Sequence, residues 1–269
     1  MIEIPCYHVD AFTRRRFAGN PAAVCPLRAW LPDRLMQAIA AENALSETAF
    51  FVPRADDDFD LRWFTPAVEV DLCGHATLAA GFVLLHLLEP ARPRVRFWTQ
   101  SGPLTVERSG ELLALDLPAR PPVPCDIPEG LPAALGVAPR ACFAARDLLA
   151  LVGSAAELRA LRPDPARIAA LPTFGLIVTA PGGPPDDDVD FVSRFFAPRQ
   201  GIDEDPVTGS AHSTLAPFWA ARLGRLELRA RQVSPRGGEL TCALDGERVH
   251  LRGGAVLVKS GPFYLDSPT

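Results

Sequence analysis

An internal duplication constrains the fold of this chain more than any other feature of its sequence. Residues 62–66 (RWFTP) and 69–76 (EVDLCGHA) are matched by residues 194–198 (RFFAP) and 204–211 (EDPVTGSA). In each copy an aromatic run that ends in proline precedes an acidic turn, a glycine and an apolar stretch, and the second copy has three more residues in its connection. Solenoid repeats recur every ~20–50 residues. A separation of half the chain predicts two similar halves instead.

The stretch that follows each glycine predicts a helix. Residues 75–88 and 210–223 are apolar on nearly every face, and Pro90 and Gly224 supply the signals for their ends. A helix that is apolar all round is a buried helix, so we expect one central helix in each half. Pro217 lies inside the second stretch, where it predicts a kink or an early end of the helix.

Most of the remaining apolar runs predict strands, because they are short and bounded by Gly, Pro or Asp. These runs are residues 2–9, 48–52, 61–64, 94–99, 104–108, 112–117, 174–179, 189–196, 225–232, 239–244 and 249–259. Shorter helices are predicted at 32–41 and 155–160, and the proline-rich residues 118–128 are typical of a linker between the halves. The acidic runs 56–58 and 186–188 are interpreted as solvated turns and not as metal sites.

The composition is that of a soluble globular protein, with 48% hydrophobic and 22% charged residues and a net charge of -5. No basic stripe indicates nucleic-acid binding, and no apolar run of about 18 residues indicates a membrane span. The first residues lack the pattern of a signal peptide, so we expect a cytoplasmic protein. The six cysteines form no C-x-x-C pair and no Cys/His pair with ligand spacing, which indicates buried thiols and neither a disulfide framework nor a zinc site.

The two glycine turns predict an anion-binding site. A helix that starts at Gly74 or Gly209 presents free backbone N–H groups and the positive end of its dipole, and glycine lets a ligand approach the backbone closely. A single glycine turn of this kind also occurs at ordinary helix starts that bind no ligand. Two matched copies that face each other across a cleft would hold a carboxylate or a similar anion.

Four segments resemble, in this order along the chain, the signature of the PhzF-like family of phenazine biosynthesis proteins. They are residues 19–21 (GNP), 46–50 (SETAF), 73–77 (CGHAT) and 204–212 (EDPVTGSAH). The resemblance implies an α+β fold of the diaminopimelate epimerase type, with two pseudo-equivalent halves, each a curled sheet around a central helix. We expect a first half at residues 1–118, completed by a C-terminal strand at about 256–269, and a second half at residues 119–255, with the site in the cleft between them.

By the same resemblance, Glu47, His75 and Asp205 are the catalytic residues. From the residues alone, Glu47 is also compatible with a solvent-facing strand position, His75 with a surface histidine and Asp205 with a turn former. The resemblance implies that Glu47 is a general acid/base that takes a proton from an activated carbon and returns it at another position. His75 would assist proton movement through a ring nitrogen, and Asp205 would bind the amino or hydroxyl group of the substrate.

Four further residues are expected to bind the substrate. Gly74 and Gly209 would offer backbone N–H groups to the substrate anion, and Ser210 would add a hydroxyl and a further N–H. Asn20, in the Gly-Asn-Pro turn, would line the same cleft.

One departure from the epimerases of this fold bears on the mechanism. Those enzymes use two cysteines, one on each face of the substrate carbon, whereas here Cys73 holds the first position and Thr208 the second. A threonine hydroxyl is far too weak an acid for this role near neutral pH, while a cysteine, with an ordinary pKa of about 8.5, can be tuned. We therefore predict a one-base proton shift by Glu47, with Cys73 as a buried packing residue.

The leading hypothesis is a cofactor-free, PhzF-like isomerase that shifts a proton on a small carboxylate substrate. The alternatives are a racemase or epimerase of the same fold, and a catalytically idle PhzF-like protein that binds a metabolite or a protein. We expect no metal and no organic cofactor, no nucleic-acid or membrane partner, and a homodimer.

Overall fold

The computed structural model describes residues 2–265 and shows one order of elements that occurs twice. The chain divides into a first unit, formed by residues up to Asp116 and from Arg252 onward, and a second unit, Leu117–Leu251. The elements that lie wholly or mainly in the first unit are β1 (Ile2–Ala11), β2 (Asn20–Pro26), α1 (Asp33–Asn43), β3 (Glu47–Pro53), β4 (Phe59–Phe64), β5 (Glu69–Val70), α2 (Gly74–Phe82), β6 (Arg94–Thr99), β7 (Gly102–Ser109), β8 (Leu112–Pro118) and β18 (Ala255–Leu265). Those of the second unit are β9 (Val123–Cys125), α3 (Leu131–Leu135), β10 (Ala141–Ala144), β11 (Leu148–Leu151), α4 (Ala155–Ala160), α5 (Pro165–Ala170), β12 (Leu176–Gly183), β13 (Asp186–Ala197), β14 (Ile202–Asp205), α6 (Gly209–Leu223), β15 (Glu227–Gln232), β16 (Gly238–Asp245) and β17 (Arg248–Gly253).

Strand pairing follows the same alternation of directions in both units. In the first unit β1–β2 is antiparallel, β2–β3 parallel, β3–β4 antiparallel, β4–β6 parallel and β6–β7 antiparallel. In the second unit β10–β11, β11–β12, β12–β13, β13–β15 and β15–β16 repeat that alternation. An antiparallel strand completes each set, since β18 pairs with β1 and β9 pairs with β10. The duplicated motif is therefore part of a duplicated sheet.

An ion pair explains why the aromatic run and the acidic turn occur together in both copies. Arg62 donates two hydrogen bonds to the carboxylate of Glu69, both 2.7 Å long. Arg194 makes the same bidentate contact with Glu204, at 2.7 and 2.9 Å. Each guanidinium also lies over the ring of the aromatic residue two positions later, 5.2 and 5.0 Å from the centroid. The ion pair joins the strand to the turn that precedes the central helix, and so positions the start of that helix.

Each sheet curls around its central helix. In the first unit α2 contacts β1, β2, β3, β7 and β18, and its residues from Gly74 to Gly81 are all buried. The helix needs small side chains for this position, because a Cβ on Gly81 would lie 2.5 Å from a methyl group of Val106. In the second unit the indole of Trp219 on α6 donates to Thr179 on β12 and stacks on Phe191 of β13.

The helix α6 continues past Pro217, so the early end that was predicted there as one of two outcomes does not occur. A proline inside a helix leaves the carbonyl four residues earlier without its usual partner. Here that carbonyl belongs to Ser213, and it accepts a hydrogen bond of 2.9 Å from the backbone N–H of Arg120. The unit supplies the missing donor, so the helix continues to Leu223. The predicted helix 75–88 is likewise present, as α2 followed by a π-helical segment, Val83–Leu88.

Several strands were not predicted, because packing outweighs local propensity at their positions. The alanine- and proline-rich β2 is a strand because it lies between β1 and β3. Strand β9 lies in the segment predicted as a linker, 118–128, and β17 and β18 divide the run 249–259 that was predicted as one strand. Residues 266–269 of the expected C-terminal strand lie outside the described residues. Among residues 2–265, no helix has the length and apolar character that crossing a membrane requires.

The acidic run 186–188 is not a solvated turn, so that interpretation was wrong. Asp186 begins β13 and is 1% exposed. Its carboxylate accepts two hydrogen bonds of 2.7 Å from Arg159 and one of 2.9 Å from Arg231. The bonds from Arg159, and then those from Arg231, hold the pKa of Asp186 below its ordinary value in spite of burial. Charge pairing therefore keeps this aspartate ionised inside the unit.

We expect Asp186→Asn to lower the free energy of unfolding by about 1–2 kcal/mol near neutral pH, because it removes charge-assisted hydrogen bonds. A group whose pKa is depressed by folding contributes stability above its unfolded pKa, about 3.9 for Asp, and loses it as the pH falls through the folded value. Urea unfolding should therefore show a smaller difference between variant and wild type at about pH 3 than at about pH 7. Asp187→Asn, at the exposed neighbouring position, is the control. A difference that is the same at both pH values would contradict the ion-pair account.

Candidate active site

The carboxylate of Glu47 lies buried at the start of β3. Its side chain is 10% exposed, and its Oε2 atom lies 3.0 Å from Nε2 of His75, whose side chain is 5% exposed. Neither atom has a partner of hydrogen-bonding geometry among the described residues, so the two face each other as a close polar contact. The solvent-facing alternative for Glu47 and the surface alternative for His75 are therefore both wrong. The first unit presents a carboxylate and an imidazole in direct contact, shielded from water.

A chain of hydrogen bonds fixes the orientation of the His75 ring. The hydroxyl of Ser46 donates to Oδ1 of Asn20 at 3.2 Å, so the amide presents its Nδ2 group to Nδ1 of His75, 3.1 Å away. In the neutral ring this donor leaves the proton on Nε2, the nitrogen that faces Glu47; in the imidazolium both nitrogens carry protons, so Nε2 is protonated in either state. Asn20 is itself fully buried as the first residue of β2. It therefore acts behind His75, as the residue that orients the ring.

Two opposing effects act on the pKa of His75. Burial lowers it, because an imidazolium is poorly solvated inside the unit, whereas Cys73 and Glu47 raise it, and the net result lies well above the ordinary range. We attribute the rise in the pKa of His75 to the Glu47 carboxylate, since the Cys73 thiol is itself uncharged near neutral pH. The ring nitrogen that faces Glu47 thus keeps its proton.

Cys73 belongs to the same cluster but is protonated. It is the residue before the first turn of α2, and its sulfur lies 3.5 Å from Nδ1 of His75. Burial, helped by the charge of Glu47, raises the pKa of the Cys73 thiol to about 11. The ligand atoms of Glu47, Cys73 and His75 lie within 4.8 Å of one another, close enough to share a metal ion. A thiol must lose its proton to bind a metal, and the raised pKa opposes that step.

In the second unit Asp205 closes a buried turn. Its Oδ2 atom accepts a hydrogen bond of 2.5 Å from the hydroxyl of Thr208. The fully buried Gln232 joins the two ends of the turn: its Nε2 donates to the Asp205 carbonyl at 2.7 Å, and its Oε1 accepts from the Thr208 N–H at 2.9 Å. Asp205 is thus a turn residue, which was the alternative to a catalytic role. It is also buried, at 6% exposed, and rigidly held.

The two helix starts have matching geometry. The residues before them, Cys73 and Thr208, both have extended backbones, with φ of −142° and −110°, and neither side chain caps its helix. Gly74 and Gly209 are buried as the first helical residues, and Ser210 is half-buried next to Gly209. The first N–H groups of each helix are therefore not used by the capping side chain, as an anion site requires.

In both units a side chain of the central helix also forms a hydrogen bond with the carbonyl of the residue that precedes the helix. The Thr77 hydroxyl donates to the carbonyl of Cys73 at 2.5 Å, and Nδ1 of His212 contacts the carbonyl of Thr208 at 2.8 Å. Burial lowers the pKa of His212 to about 4, so the ring is neutral near pH 7 and Nδ1 is the donor. His212 is a structural residue, in spite of its place in the motif 204–212.

The first unit brings together Glu47, His75, Asn20 and Gly74, and the second unit brings together Asp205, Gly209 and Ser210 through their closeness in the chain. Sequence reasoning did not assign a role to Ser46 or to Gln232. Ser46 is adjacent to Glu47 in the segment 46–50, which is a signal that was available. Gln232 lies 24 residues after Thr208, and nothing in the sequence connects the two.

Comparison with known proteins places this geometry in a family. The sequence model of the family described as "Phenazine biosynthesis-like protein" matches residues 9–261. An uncharacterized isomerase of Pseudomonas aeruginosa is 53% identical over 264 residues, which cover 98% of this chain and 100% of the relative. The crystal structure of a PhzF-family phenazine biosynthesis protein of Enterococcus faecalis is 46% identical, covers 98% of this chain and 100% of its own, and superposes with a TM-score of 0.94.

A more distant structure confirms the architecture. A hydroxyproline epimerase of Agrobacterium vitis, solved with bound trans-4-hydroxy-L-proline, is 12% identical, with a TM-score of 0.63 over 99% of this chain and 94% of its own. At that identity the likeness concerns the fold alone, and it confirms the predicted α+β, diaminopimelate epimerase-like fold. The family model and the close relatives span nearly the whole chain, and the motifs that carried the resemblance are those that build the buried cluster. The chain therefore belongs to the PhzF family of phenazine biosynthesis-like proteins.

Proposed function

We propose that this chain is an isomerase that moves a proton within a small carboxylate substrate, without a metal or an organic cofactor. The observation that carries the proposal is the buried contact between Oε2 of Glu47 and Nε2 of His75, 3.0 Å apart and with no competing partner among the described residues. A carboxylate beside an oriented imidazole is suited to acid/base work. The name of the relative from Pseudomonas aeruginosa supports the same class of reaction.

Glu47 is the group that carries the proton in this proposal. Its carboxylate removes a proton from a carbon next to an activating group, and the electron pair shifts the double bond. The carboxylic acid so formed then returns the proton to a second carbon on the same face, which restores the carboxylate. A positioned acid/base group typically contributes about 10²–10⁴-fold to the rate.

His75 supports both half-reactions through the proton on Nε2. It donates a hydrogen bond to whichever oxygen carries negative charge, first on Glu47 and then on the substrate as charge develops there. Ser46 and Asn20 hold the ring in this orientation, through contacts of 3.2 and 3.1 Å. The pair Asn20–His75 thus positions the proton, while Glu47 transfers it.

The remaining predicted residues bind the substrate in this proposal. Within each unit we assign anion binding to the backbone N–H groups at the start of the central helix, at Gly74 in the first and at Gly209 and Ser210 in the second, because helix N-termini attract anions. Asp205 accepts a hydrogen bond from the amino or hydroxyl group of the substrate.

The reaction is tested by proton exchange. Wild-type protein is incubated in deuterated water with a panel of amino acids, hydroxy acids and unsaturated cyclic carboxylates, and deuterium on carbon is followed by mass spectrometry and NMR. Incorporation at two carbons of one compound, with movement of its double bond, is the expected result. Incorporation at a single stereocentre with loss of optical purity would favour the racemase, and binding without exchange would favour the catalytically idle protein.

We expect Cys73→Ala to keep most of the exchange activity and to lose about 1 kcal/mol of stability, as a buried packing residue would. A two-thiol epimerase fails when either sulfur is removed, and here the second position holds Thr208, whose hydroxyl is bound to Asp205. Cys242→Ala removes another fully buried thiol with a raised pKa and serves as the control for loss of packing. A folded but inactive Cys73→Ala protein would favour the epimerase.

We expect exhaustive dialysis against a chelator to leave the exchange rate unchanged. The three candidate ligands Glu47, Cys73 and His75 include a thiol whose pKa burial raises to about 11, so binding a metal there carries the cost of removing that proton. The check is metal analysis and activity before and after dialysis. Loss of activity that added zinc restores would contradict the metal-free part of the proposal.

A further inference from the structure

The second unit contains a buried carboxylate that the proposed isomerase chemistry does not use. Asp147 precedes β11 and is 3% exposed. Its Oδ1 atom has no hydrogen-bonding partner among the described residues. A buried polar atom without a partner is destabilising by about 1–3 kcal/mol, so a protein keeps one only where something else requires it.

The duplication places Asp147 beside the residue that is equivalent to Glu47. In the first unit Thr48 pairs with Phe64, and in the second unit Leu176 pairs with Phe196, the corresponding residue of the repeat. The residue before Leu176 is Gly175, which is therefore equivalent to Glu47. A Cβ built on Gly175 would lie 2.5 Å from the ring of Phe195 and 3.0 Å from Oδ1 of Asp147. Both units thus have a buried carboxylate near this position, and in the second unit it comes from the residue before β11.

Asp147 also lines a cavity of about 630 Å³ in the second unit. Two guanidinium groups, of Arg146 and Arg199, line the same cavity, and Arg146 stacks on the ring of Phe174 with 4.1 Å between the guanidinium carbon and the ring centroid. Phe174 is 42% exposed. The cavity therefore combines two cations, an aromatic wall and one buried carboxylate, and its volume is in the usual range for a small-molecule site, roughly 300–1,000 Å³.

We propose that this cavity is a binding site for a small amino carboxylate, whose carboxylate is held by Arg146 and Arg199 and whose ammonium group is held by Asp147. Arginine binds carboxylates through paired N–H donors, and an apolar side chain of the ligand would lie along Phe174. The proposal does not rest on the isomerase reaction, because it concerns binding alone.

The electrostatics of Asp147 agree with this assignment. Burial raises the pKa of Asp147, and the charges of Arg146 and Arg120 offset only part of the effect. The cations that face the carboxylate do not give Oδ1 a hydrogen bond. An ammonium group bound in the cavity beside Asp147 would offset, through its charge, part of the desolvation that burial imposes on this carboxylate.

The test uses L-phenylalanine as the probe and isotope-labelled, full-length Glu47→Gln protein, so that no turnover accompanies binding. NMR titration should shift the resonances of Leu148, Thr173 and Phe174 in a saturable way. Two analogues, 3-phenylpropanoate and phenethylamine, lack the ammonium and the carboxylate respectively, and each should bind at least about tenfold more weakly, the equivalent of 1.4 kcal/mol. Shifts confined to the surroundings of His75, or equal affinity for the probe and both analogues, would overturn the proposal.

Variants locate the groups responsible. Asp147→Leu and Arg146→Gln, each added to the Glu47→Gln protein, should weaken phenylalanine binding at least about tenfold. Asp187→Leu, at an exposed position that does not line the cavity, should leave the affinity unchanged. Asp147→Asn, which keeps the shape of the side chain, covers the possibility that the leucine variant unfolds. Unchanged affinity in a folded Asp147→Asn or Asp147→Leu protein would overturn the role of Asp147, whatever the exchange assay shows for Glu47.

Discussion

Glu47→Gln is expected to reduce deuterium exchange into the substrate by about 10²–10⁴-fold while the protein stays folded. The amide nearly matches the carboxylate in shape but cannot accept and return a proton. Its oxygen can still take the place of Oε2 in the 3.0 Å contact with Nε2 of His75. The measurement is the initial rate of exchange in deuterated water, together with the urea midpoint of each protein.

Glu42→Gln is the matched control, because Glu42 is an exposed glutamate on α1, outside the buried cluster. It should keep the wild-type rate. A Glu47→Gln protein with near-wild-type exchange would remove Glu47 from the mechanism. An inactive variant whose urea midpoint has also fallen sharply would show a structural role, and Glu47→Asp, which keeps the acid but shortens its reach, would then be needed to separate the two.

The largest expected effect on stability belongs to Gln232→Leu, with a loss of about 2–4 kcal/mol in the free energy of unfolding. The change removes the bonds that Gln232 makes to the Asp205 carbonyl and to the Thr208 N–H, at 2.7 and 2.9 Å. Both groups would remain buried without these partners, and each such loss is worth roughly 1–3 kcal/mol. Urea unfolding of the two proteins measures the difference.

Gln200→Leu, at an exposed glutamine, is the control and should change the stability by less than about 0.5 kcal/mol. Because Gln232 also holds the turn that carries Asp205, its loss should impair substrate binding as well as stability. A Gln232→Leu protein as stable as the control would mean that water or a shift of the turn satisfies the two groups. The turn would then be less rigid than its hydrogen bonds indicate.

The sequence identified the central helices and the duplication because both depend on local patterns. A helix that is apolar on every face is a buried helix. A repeated Arg–aromatic–Glu pattern forms the same ion pair twice, Arg62 with Glu69 and Arg194 with Glu204. Strands such as β2 lack such a pattern. Their conformation follows from the strands on either side, which no local propensity records.

The site residues divide in the same way, into those that sequence motifs identify and those that only the tertiary structure reveals. The resemblance of the motifs identified Glu47, His75, Asn20 and Asp205 as residues of interest, and the structure places the first three in one buried cluster. The relation of Asp147 to Glu47 could not be predicted, because the two carboxylates come from non-equivalent positions in the two units and are related only in space.

The sequence by itself determined that this chain has two similar halves, a buried helix in each and a pair of matched glycine turns, because these features are encoded by residues close together in the chain. Only the tertiary structure decided which atoms meet. It made Glu47 a buried partner of His75, it kept α6 intact past Pro217 through the N–H of Arg120, and it turned Asp186 into a buried ion pair. The physical reason is that burial and hydrogen bonding depend on neighbours brought together from distant parts of the chain, and a polar side chain takes its ionisation and its role from those neighbours.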